Sequence, residues 1–411
     1  VAKPMPTTVR PPLVPTLLAT YAGAHHHMFK RTPLHASQKK EGGIFRNIGV
    51  WQRATYFSKD FDCKDEILNV RNNVGMLDAS TLGKFRLWGP DALKALQRVY
   101  AGDMSKISDG KIKYGAMCNE DGCIIDDGVI VKRGENEYYF TTSTGRAGST
   151  VEWFRYHTRY DGWNYNMVNL TDALGVVNLA GPNARKVLEK LGGMDVSKDT
   201  LPFMQWAEGR IGAFDARVFR ISFSGELSYE IAVPAGQGRA FWDALLDAGK
   251  EFGVMPYGTE ALHILRAEKG FIMIGAETAG NIIRQDLNLN WALSKKKEDY
   301  LGKRAHTRSH MADPARWKLV GLQTVDGSVL PDGAYAIADG DNANGQRNTQ
   351  GRVTSTYYSA NLDRGIAMGL VHKGPDRMGE VINFNTVAGG VVPARIVDPV
   401  FYDKDGEKQN V

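Results

Sequence analysis

The chain has 411 residues, of which 43% are hydrophobic and 24% charged, and its formal net charge is +5 at pH 7. This composition is typical of a water-soluble globular protein, and the length predicts two or three domains rather than one core. No run approaches the roughly 18 apolar residues that a membrane-spanning helix needs, so we expect no membrane partner.

The positive charge is concentrated only in short runs, at 295–297 and at Lys303 and Arg304. A nucleic-acid binder gathers Lys and Arg on one face and interleaves stacking aromatics, whereas short runs such as these are more often solvated helix ends. The sequence therefore predicts no nucleic-acid partner, and its mild positive charge suits an anionic small ligand.

The chain contains three cysteines, Cys63, Cys118 and Cys123. An odd number predicts no disulfide framework, and the single C-x4-C spacing has no second pair to complete a zinc site. We therefore expect reduced thiols, a cytoplasmic location and no metal.

Residues 1–30 begin with Val1, carry five prolines by Pro15 and include three adjacent histidines at 25–27. Such a stretch predicts an extended arm or linker, and the absence of a secretory signal pattern suggests a trimmed start or a piece of a larger protein. The histidines lack spaced partners for a metal, so we interpret them as exposed loop residues.

The segment from 45 to 169 alternates predicted helices and strands. The apolar spacing of 65–80 predicts a helix, KFRLWG at 84–89 a strand, and 90–100 a helix with Pro90 in its first turn. Runs on both sides of the NEDG turn at 119–122 predict a hairpin, and a third strand follows a turn at 134–136.

The stretch WGPDALKALQRV at 88–99 is echoed by AGPNARKVLEKL at 180–191. Each reads as a strand end, a Gly-Pro turn and a helix. An internal repeat of this kind predicts two related lobes.

Past Trp317 the pattern changes to short strand-like stretches with Gly-rich turns, at 318–325, 351–359, 365–372, 380–385 and 392–402. Regular spacing of such stretches predicts a small β-barrel or sandwich.

The stretch GCIIDDGVIV at 122–131 places two acids side by side in an apolar run. Side chains alternate between the two faces of a strand, so Asp126 and Asp127 have to point in opposite directions. A carboxylate that faces the interior has to be paired, protonated or turned to a polar ligand, because burying an unpaired charge is costly. The pair is therefore a candidate site.

Several stretches resemble the folate-binding aminomethyltransferases, the T-proteins of the glycine cleavage system. They are RTPLH at 31–35, LDAST at 77–81, NEDGCIIDDGVIV at 119–131, GPNARKVL at 181–188, SFSGELSYEIAVP at 222–234, LRAEKGF at 265–271 and the closing barrel. A narrower resemblance, to the carboxy-terminal half of the α subunit of heterotetrameric sarcosine oxidase, rests on VGMLDASTLGK, FRISFSGELSYEIAVP and YGTEALHILRAEKGFIMIG.

The resemblance implies an α+β fold in which three lobes form a ring, with a small C-terminal β-barrel. It places folate-binding aminomethyltransferase-like lobes at 31–315 and the barrel at 316–411, after the arm at 1–30. The sarcosine oxidase subunit also has an amino-terminal dinucleotide-binding half, and this chain has no G-x-G-x-x-G motif that opens a strand–helix unit.

The resemblance also implies the site residues. Asp127 matches the family carboxylate that acts against N10 of tetrahydrofolate, and Glu230 matches the glutamate that hydrogen-bonds the pterin. Tyr114, Asp126 and Arg266 complete the predicted cofactor-binding set.

Each of these residues has a plainer alternative. On the alternation of its strand alone, Glu230 would be an exposed surface acid. The alternative for Asp127 is a cap on a turn at a strand end, which two acids in an apolar strand disfavour. Tyr114 is more often a core residue, and Asp126 more often serves the scaffold. For Arg266 a structural ion pair is the better interpretation.

Two further positions bear on the substrate. A family arginine four residues ahead of Arg266 is replaced by Leu262, which argues against a lipoyl-linked aminomethyl substrate and favours the oxidase branch. Trp291 matches a family tryptophan, although a core aromatic is its default interpretation.

The resemblance thus implies a folate-dependent one-carbon transfer subunit that traps the imine from N-methyl amine oxidation as 5,10-methylenetetrahydrofolate. Expected partners are a flavin-containing amine oxidase subunit and small accessory subunits, with FAD or FMN and NAD on other chains or on the missing half. Sarcosine is the default substrate, and dimethylglycine, N-methylglutamate and a cyclic imino acid stay open. The alternatives are a stand-alone aminomethyltransferase or demethylase, and a non-catalytic folate-binding or assembly subunit.

Overall fold

A computed structural model describes residue 17 and residues 29–294, 296–340 and 342–411. Most of the predicted arm at 1–30, the histidines at 25–27 and Lys295 lie outside the described residues.

Within these residues the chain forms eight α-helices. They are α1 (His35–Lys40), α2 (Lys64–Asn72), α3 (Ala92–Val99), α4 (Thr150–Thr158), α5 (Ala184–Leu191), α6 (Gly238–Gly249), α7 (Thr259–Glu268) and α8 (Ser309–Ala312). None of the described helices is both long and apolar enough to cross a membrane.

The same residues form nineteen strands. They are β1 (Ile44–Ile48), β2 (Trp51–Tyr56), β3 (Val74–Asp78), β4 (Gly83–Trp88), β5 (Ile112–Cys118), β6 (Ile124–Gly134), β7 (Glu137–Thr142), β8 (Asn166–Asn169), β9 (Leu174–Ala180), β10 (Trp206–Ile211), β11 (Phe214–Phe219), β12 (Ser228–Pro234), β13 (Val254–Pro256), β14 (Trp317–Thr324), β15 (Tyr335–Ile337), β16 (Thr349–Ser359), β17 (Arg364–His372), β18 (Val381–Asn385) and β19 (Val391–Val397).

These strands form two larger sheets, a hairpin of β1 and β2, and a closed barrel. The first sheet has the order β5-β6-β7-β4-β8 and carries α3 and α4 on one face, which we call the first lobe. The second has the order β10-β11-β12-β9-β3-β13 and carries α5 and α6, which we call the second lobe. The barrel closes in the order β14-β17-β16-β15-β18-β19.

Each lobe and the barrel have a core of their own. In α3 the buried residues Ala92, Ala95, Leu96 and Val99 recur at helical spacing, so one face of the helix packs on the first sheet. A further cluster joins the free faces of both sheets to α7, with Tyr139 from the first lobe, Tyr257 from the second and Tyr357 from the barrel at its edge. We call this cluster the central junction.

A buried charge network ties the central junction together. Arg71 of α2 pairs with Glu226 at 2.8 Å and with Glu268 of α7 at 2.6 Å, and all three side chains are buried. The barrel adds Ser359, which donates to Glu268 at 2.5 Å, and Tyr402 donates to Glu226 at 2.9 Å. Buried charges of this kind are tolerated only when they are paired and hydrogen-bonded, so the network fixes how these parts meet.

The predicted helix over 65–80 is wrong in its second half. The helix α2 ends at Asn72, and Val74–Asp78 form strand β3, which is buried at every position and lies inside the second sheet. A strand covered on both faces has no alternating polar side, so its apolar spacing does not distinguish it from a buried helix.

The internal repeat corresponds to a repeated structure. Gly89 and Gly181 directly follow β4 and β9, have φ values of 125° and 131°, and precede α3 and α5. A side chain at either position would collide with backbone, since a Cβ atom at Gly181 would lie 2.5 Å from the carbonyl oxygen of Asn73. The Gly-Pro turn of the repeat thus has the same backbone function in both lobes.

Candidate functional site

Asp127 lies in the middle of β6, half-buried, on the face that looks toward the central junction. Tyr114 of β5 donates its hydroxyl to the Asp127 carboxylate at 2.8 Å. The strand register pairs Asp127 with Ala116 and Tyr114 with Val129, so the two side chains are diagonal neighbours on one face. Its position in the middle of the strand argues against the alternative that Asp127 caps a turn.

Burial raises the pKa of Asp127 to about 6, and the hydrogen bond from Tyr114 works in the opposite direction. A carboxyl group with this pKa is mostly ionised at pH 7, yet it is more basic than an ordinary aspartate. Asp127 can therefore accept a proton from a ligand on this face, which is the property that a general base needs.

Asp126 occupies the opposite face, as the strand period predicts. It is fully buried against the core of the first lobe, and its carboxylate accepts the Ser143 backbone N–H at 3.2 Å. Burial raises its pKa to about 7. These contacts favour a scaffold role, and folate binding by Asp126 stays an untested prediction.

Replacing Asp126 by asparagine should change how stability depends on pH. Because its folded pKa is raised, the folded chain binds more protons than the unfolded chain between about pH 4 and pH 7, and stability falls as pH rises through this window. Relative to wild type, the Asp126→Asn variant should gain about 2–3 kcal/mol of unfolding free energy between pH 5 and pH 8. Urea denaturation at the two pH values measures this difference.

The exposed Asp121, on the same hairpin, provides the control for that experiment, because Asp121→Asn should show no such gain. A difference between the Asp126→Asn variant and wild type that is the same at both pH values would contradict the assignment.

Trp291 is not a core residue, and the default interpretation is wrong. Its side chain is 68% exposed, and its ring lies 5.2 Å from the ring of Tyr114, measured between centroids. An exposed tryptophan beside a half-buried tyrosine provides an apolar wall next to Asp127. A flat aromatic ligand can stack on such a wall.

Glu230 lies in β12 of the second lobe and is half-buried. Within the described part of the chain its carboxylate makes no hydrogen bond and no ion pair. Burial raises its pKa to about 7, and the nearby Lys84 lowers it in part. A half-buried acid without a protein partner is costly to keep, so Glu230 is free to accept hydrogen bonds from a ligand.

Lys84 was missed by the sequence analysis. It lies in β4 with only 1% of its surface exposed, and its ammonium group donates to the carbonyl oxygens of Ser80 at 2.6 Å and Leu82 at 3.0 Å. Burial lowers its pKa to about 8, and Glu230 is among the acids that counteract this shift. The sequence feature that could have indicated Lys84 is its position as the single lysine inside the predicted strand KFRLWG.

Arg266 is completely buried at the border between α7 and the barrel. Its guanidinium pairs with Glu277 at 2.9 Å and donates to Ser355 at 2.6 Å and to Tyr357 at 3.3 Å. These contacts favour the structural ion pair as the role of Arg266. Direct contact between Arg266 and the cofactor stays a prediction. Leu262, which replaces the family arginine, packs partly buried against the central junction.

All three cysteines are buried free thiols. Among the described residues, no cluster of three or more His, Cys, Asp or Glu side chains is arranged to hold a metal ion.

Comparison with solved structures supports the fold. The crystal structure of glycine cleavage system aminomethyltransferase T from Bartonella henselae superposes with a TM-score of 0.80 at 25% sequence identity, over 92% of this chain and 99% of that chain. This likeness and the closed C-terminal barrel confirm the predicted T-protein-like α+β fold.

Two kinds of curated protein are similar in sequence. The sarcosine oxidase subunit alpha of Corynebacterium sp. (strain P-1) is 38% identical over 98% of this chain, which spans only 43% of that subunit's length. The aminomethyltransferase of Geobacillus sp. (strain WCH70) is 30% identical over 92% of this chain and 100% of its own length.

Two family profiles match in succession along the chain. The profile described as the GCVT N-terminal domain covers residues 34–297, and the glycine cleavage T-protein C-terminal barrel domain covers residues 318–403. Since these matches cover well over half of the chain, it belongs to the glycine cleavage T-protein family.

Proposed function

We propose that this chain is the folate-dependent one-carbon transfer part of a sarcosine oxidase-like complex. The observation that carries the proposal is the half-buried Asp127 carboxylate, held by the hydroxyl of Tyr114 at 2.8 Å, whose ring lies beside the exposed ring of Trp291. The similarity to sarcosine oxidase α subunits along almost the whole chain supports the same proposal.

The residues present fit tetrahydrofolate in three respects. Trp291 and Tyr114 offer aromatic surface to a flat ring system, and Glu230 is an acceptor without a protein partner, as the N–H groups of an aminopterin require. Asp127 is a weak base beside the aromatic wall. Tetrahydrofolate supplies the two secondary amine nitrogens, N5 and N10, that take up a one-carbon unit.

In this proposal Asp127 accepts the proton that N10 gives up, and Tyr114 keeps the carboxylate ionised and fixed in position. Glu230 orients the pterin from the second lobe. The bound imine has to be kept from bulk water, because in bulk water it is lost by hydrolysis to formaldehyde. The product is 5,10-methylenetetrahydrofolate together with the free amine.

We assign the oxidation that generates the imine to polypeptide outside the chain described here, either a partner chain or a preceding half. The chain spans less than half of the sarcosine oxidase subunits it resembles, and we propose that flavin and NAD bind to partner chains or to a preceding half. Sarcosine is the proposed amine. We also propose a cytoplasmic location, and a division into folate-binding lobes at 31–315 and the barrel at 316–411.

A stand-alone aminomethyltransferase is the second candidate, because such enzymes match this chain along their full length. Leu262, in place of the family arginine, weighs against a lipoyl-linked substrate. Mass analysis of the native protein distinguishes the two, since an active lone chain without flavin subunits would exclude the complex.

The proposed function is tested by product analysis. The complex purified from its source should convert sarcosine to 5,10-methylenetetrahydrofolate when tetrahydrofolate is present and to formaldehyde when it is absent, as measured by mass spectrometry. Formaldehyde as the sole carbon product under both conditions would contradict the proposal. In the same assay a Glu230→Gln variant should need more tetrahydrofolate for half-saturation.

The pH dependence should report the ionisation of Asp127. We expect kcat/KM for tetrahydrofolate to rise with pH through a step near pH 6, because only the ionised carboxylate accepts a proton. In a Tyr114→Phe variant this step should move to higher pH, since the hydrogen bond that lowers the pKa of Asp127 is lost. An unchanged step in the variant would contradict the role of Tyr114.

A further inference from the structure

Arg53 of β2 carries a charge that no acid among the described residues neutralises by direct contact. Within the described part of the chain its guanidinium makes no hydrogen bond and no ion pair, and its Nε atom is buried without a partner. Burial lowers its pKa, and Asp78 counteracts this shift in part. Arg46 lies opposite Arg53 on β1, and the nearby acid Glu260 offsets the charge of Arg46 in part. An anion beside Arg53 would relieve this imbalance.

Asp78 does not supply that anion by contact. Its carboxylate already accepts hydrogen bonds from Thr32 at 2.5 Å, Gln38 at 2.6 Å and the Ser80 backbone N–H at 2.9 Å. Three donors saturate most of its acceptor capacity, so the guanidinium of Arg53 keeps its own donors free.

Arg53 lines a small cavity of about 10 Å³ between β2 and the start of α7, room for about one water-sized group. Thr259, the first residue of α7, also lines it, and the hydroxyl of this residue is a second buried polar group without a hydrogen-bond partner. Thr259 has only 2% of its surface exposed. A guanidinium and a hydroxyl that both lack partners in one cavity form a site that can take a carboxylate.

The cavity adjoins the proposed folate site. Tyr257 forms part of its wall and donates its hydroxyl to the side chain of Asn178 at 2.7 Å, and Asn178 lies opposite Glu230 in the strand register. A cavity of this size can take an oxygen of a carboxylate, whereas a folate ring does not fit in it.

We propose that Arg53 and Thr259 bind the carboxylate of the imino acid that donates the carbon, and of the amino acid that is released. This inference rests on the proposed function and adds the group that selects an N-methyl amino acid over a simple N-methyl amine. The glutamate tail of folate also ends in carboxylates, so the experiment separates the two sources.

The experiment uses calorimetric titration of the full chain with glycine, the amine expected from sarcosine. Wild type should bind glycine and should not bind glycinamide, which lacks the carboxylate. Arg53→Met should weaken glycine binding by about 10-fold or more, since charge-assisted hydrogen bonds are lost. Arg304→Met removes an exposed positive charge elsewhere and should leave glycine binding unchanged.

Thr259→Val keeps the shape of the side chain and serves as a second variant if Arg53→Met does not fold. It should weaken glycine binding several-fold without lowering the thermal unfolding midpoint, because the hydroxyl it removes has no hydrogen-bond partner.

Titration with tetrahydrofolate, and with a pteroate analogue that lacks glutamate, identifies the source of the carboxylate. If Arg53→Met weakens tetrahydrofolate binding, spares the analogue and leaves glycine binding intact, the subsite belongs to the folate tail and our assignment is overturned. Unchanged affinity for every ligand overturns the subsite itself. Glycine binding that depends on Arg53 in a chain that does not bind tetrahydrofolate would support the subsite and reject the proposed function.

Discussion

The Asp127→Asn variant is expected to lose folate-coupled turnover by a factor of about 10²–10⁴, the usual contribution of a general base. Asparagine keeps the size of the side chain and can still accept the Tyr114 hydrogen bond, but it cannot take up a proton at neutral pH. The rate of 5,10-methylenetetrahydrofolate formation by the complex, at saturating tetrahydrofolate, measures the effect.

Asp121→Asn is the matched control, because Asp121 lies in the turn of the same hairpin and pairs with Arg308 at the surface at 2.7 Å. This control should retain the wild-type rate. Wild-type turnover in the Asp127→Asn variant would leave the chain with a binding or assembly role only.

The Arg266→Met variant is expected to lose about 3–5 kcal/mol of unfolding free energy, because Glu277 would remain buried without its partner. Both side chains of this pair have no exposed surface, so water cannot replace the lost contact. Urea denaturation measures the loss.

Arg304→Met, at an exposed position, should change the unfolding free energy by no more than about 0.5 kcal/mol. The two roles considered for Arg266 predict different results. If Arg266→Met left stability intact and abolished tetrahydrofolate binding, the direct cofactor contact would be correct and the structural interpretation wrong.

Local sequence patterns predict most of the elements of the fold. The hairpin of β5 and β6 follows from its NEDG turn, and the helices α3 and α5 follow from their apolar spacing after a Gly-Pro turn. No sequence pattern predicts the short strand β15, because its three residues are too few for a periodic signal. The register of the strands also explains why adjacent acids ended on opposite faces.

The site was less accessible to sequence reasoning. That Tyr114 reaches Asp127 depends on strand pairing, and the exposure of Trp291 depends on a loop whose path no local pattern sets. The free charge of Arg53 could not be foreseen either, since the absence of a partner is known only when every neighbour has been placed. The strand pattern at 122–131 indicates the pair of Asp126 and Asp127, whereas the catalytic role of Asp127 and the choice of Glu230 follow only from the resemblance to a family.

The network around Arg71 has a consequence for how the chain is made. Arg71 and Glu268 are 197 residues apart in sequence, and Glu226 and Tyr402 are 176 residues apart. The C-terminal residue of each pair therefore leaves the ribosome long after the first lobe has been synthesised. Contacts of such sequence separation form late and slowly in folding. Before Tyr402 and Ser359 have been synthesised, the carboxylates of Glu226 and Glu268 lack the last of their hydrogen-bond donors. We therefore expect a nascent chain stalled before the barrel to be cleaved by protease near this network.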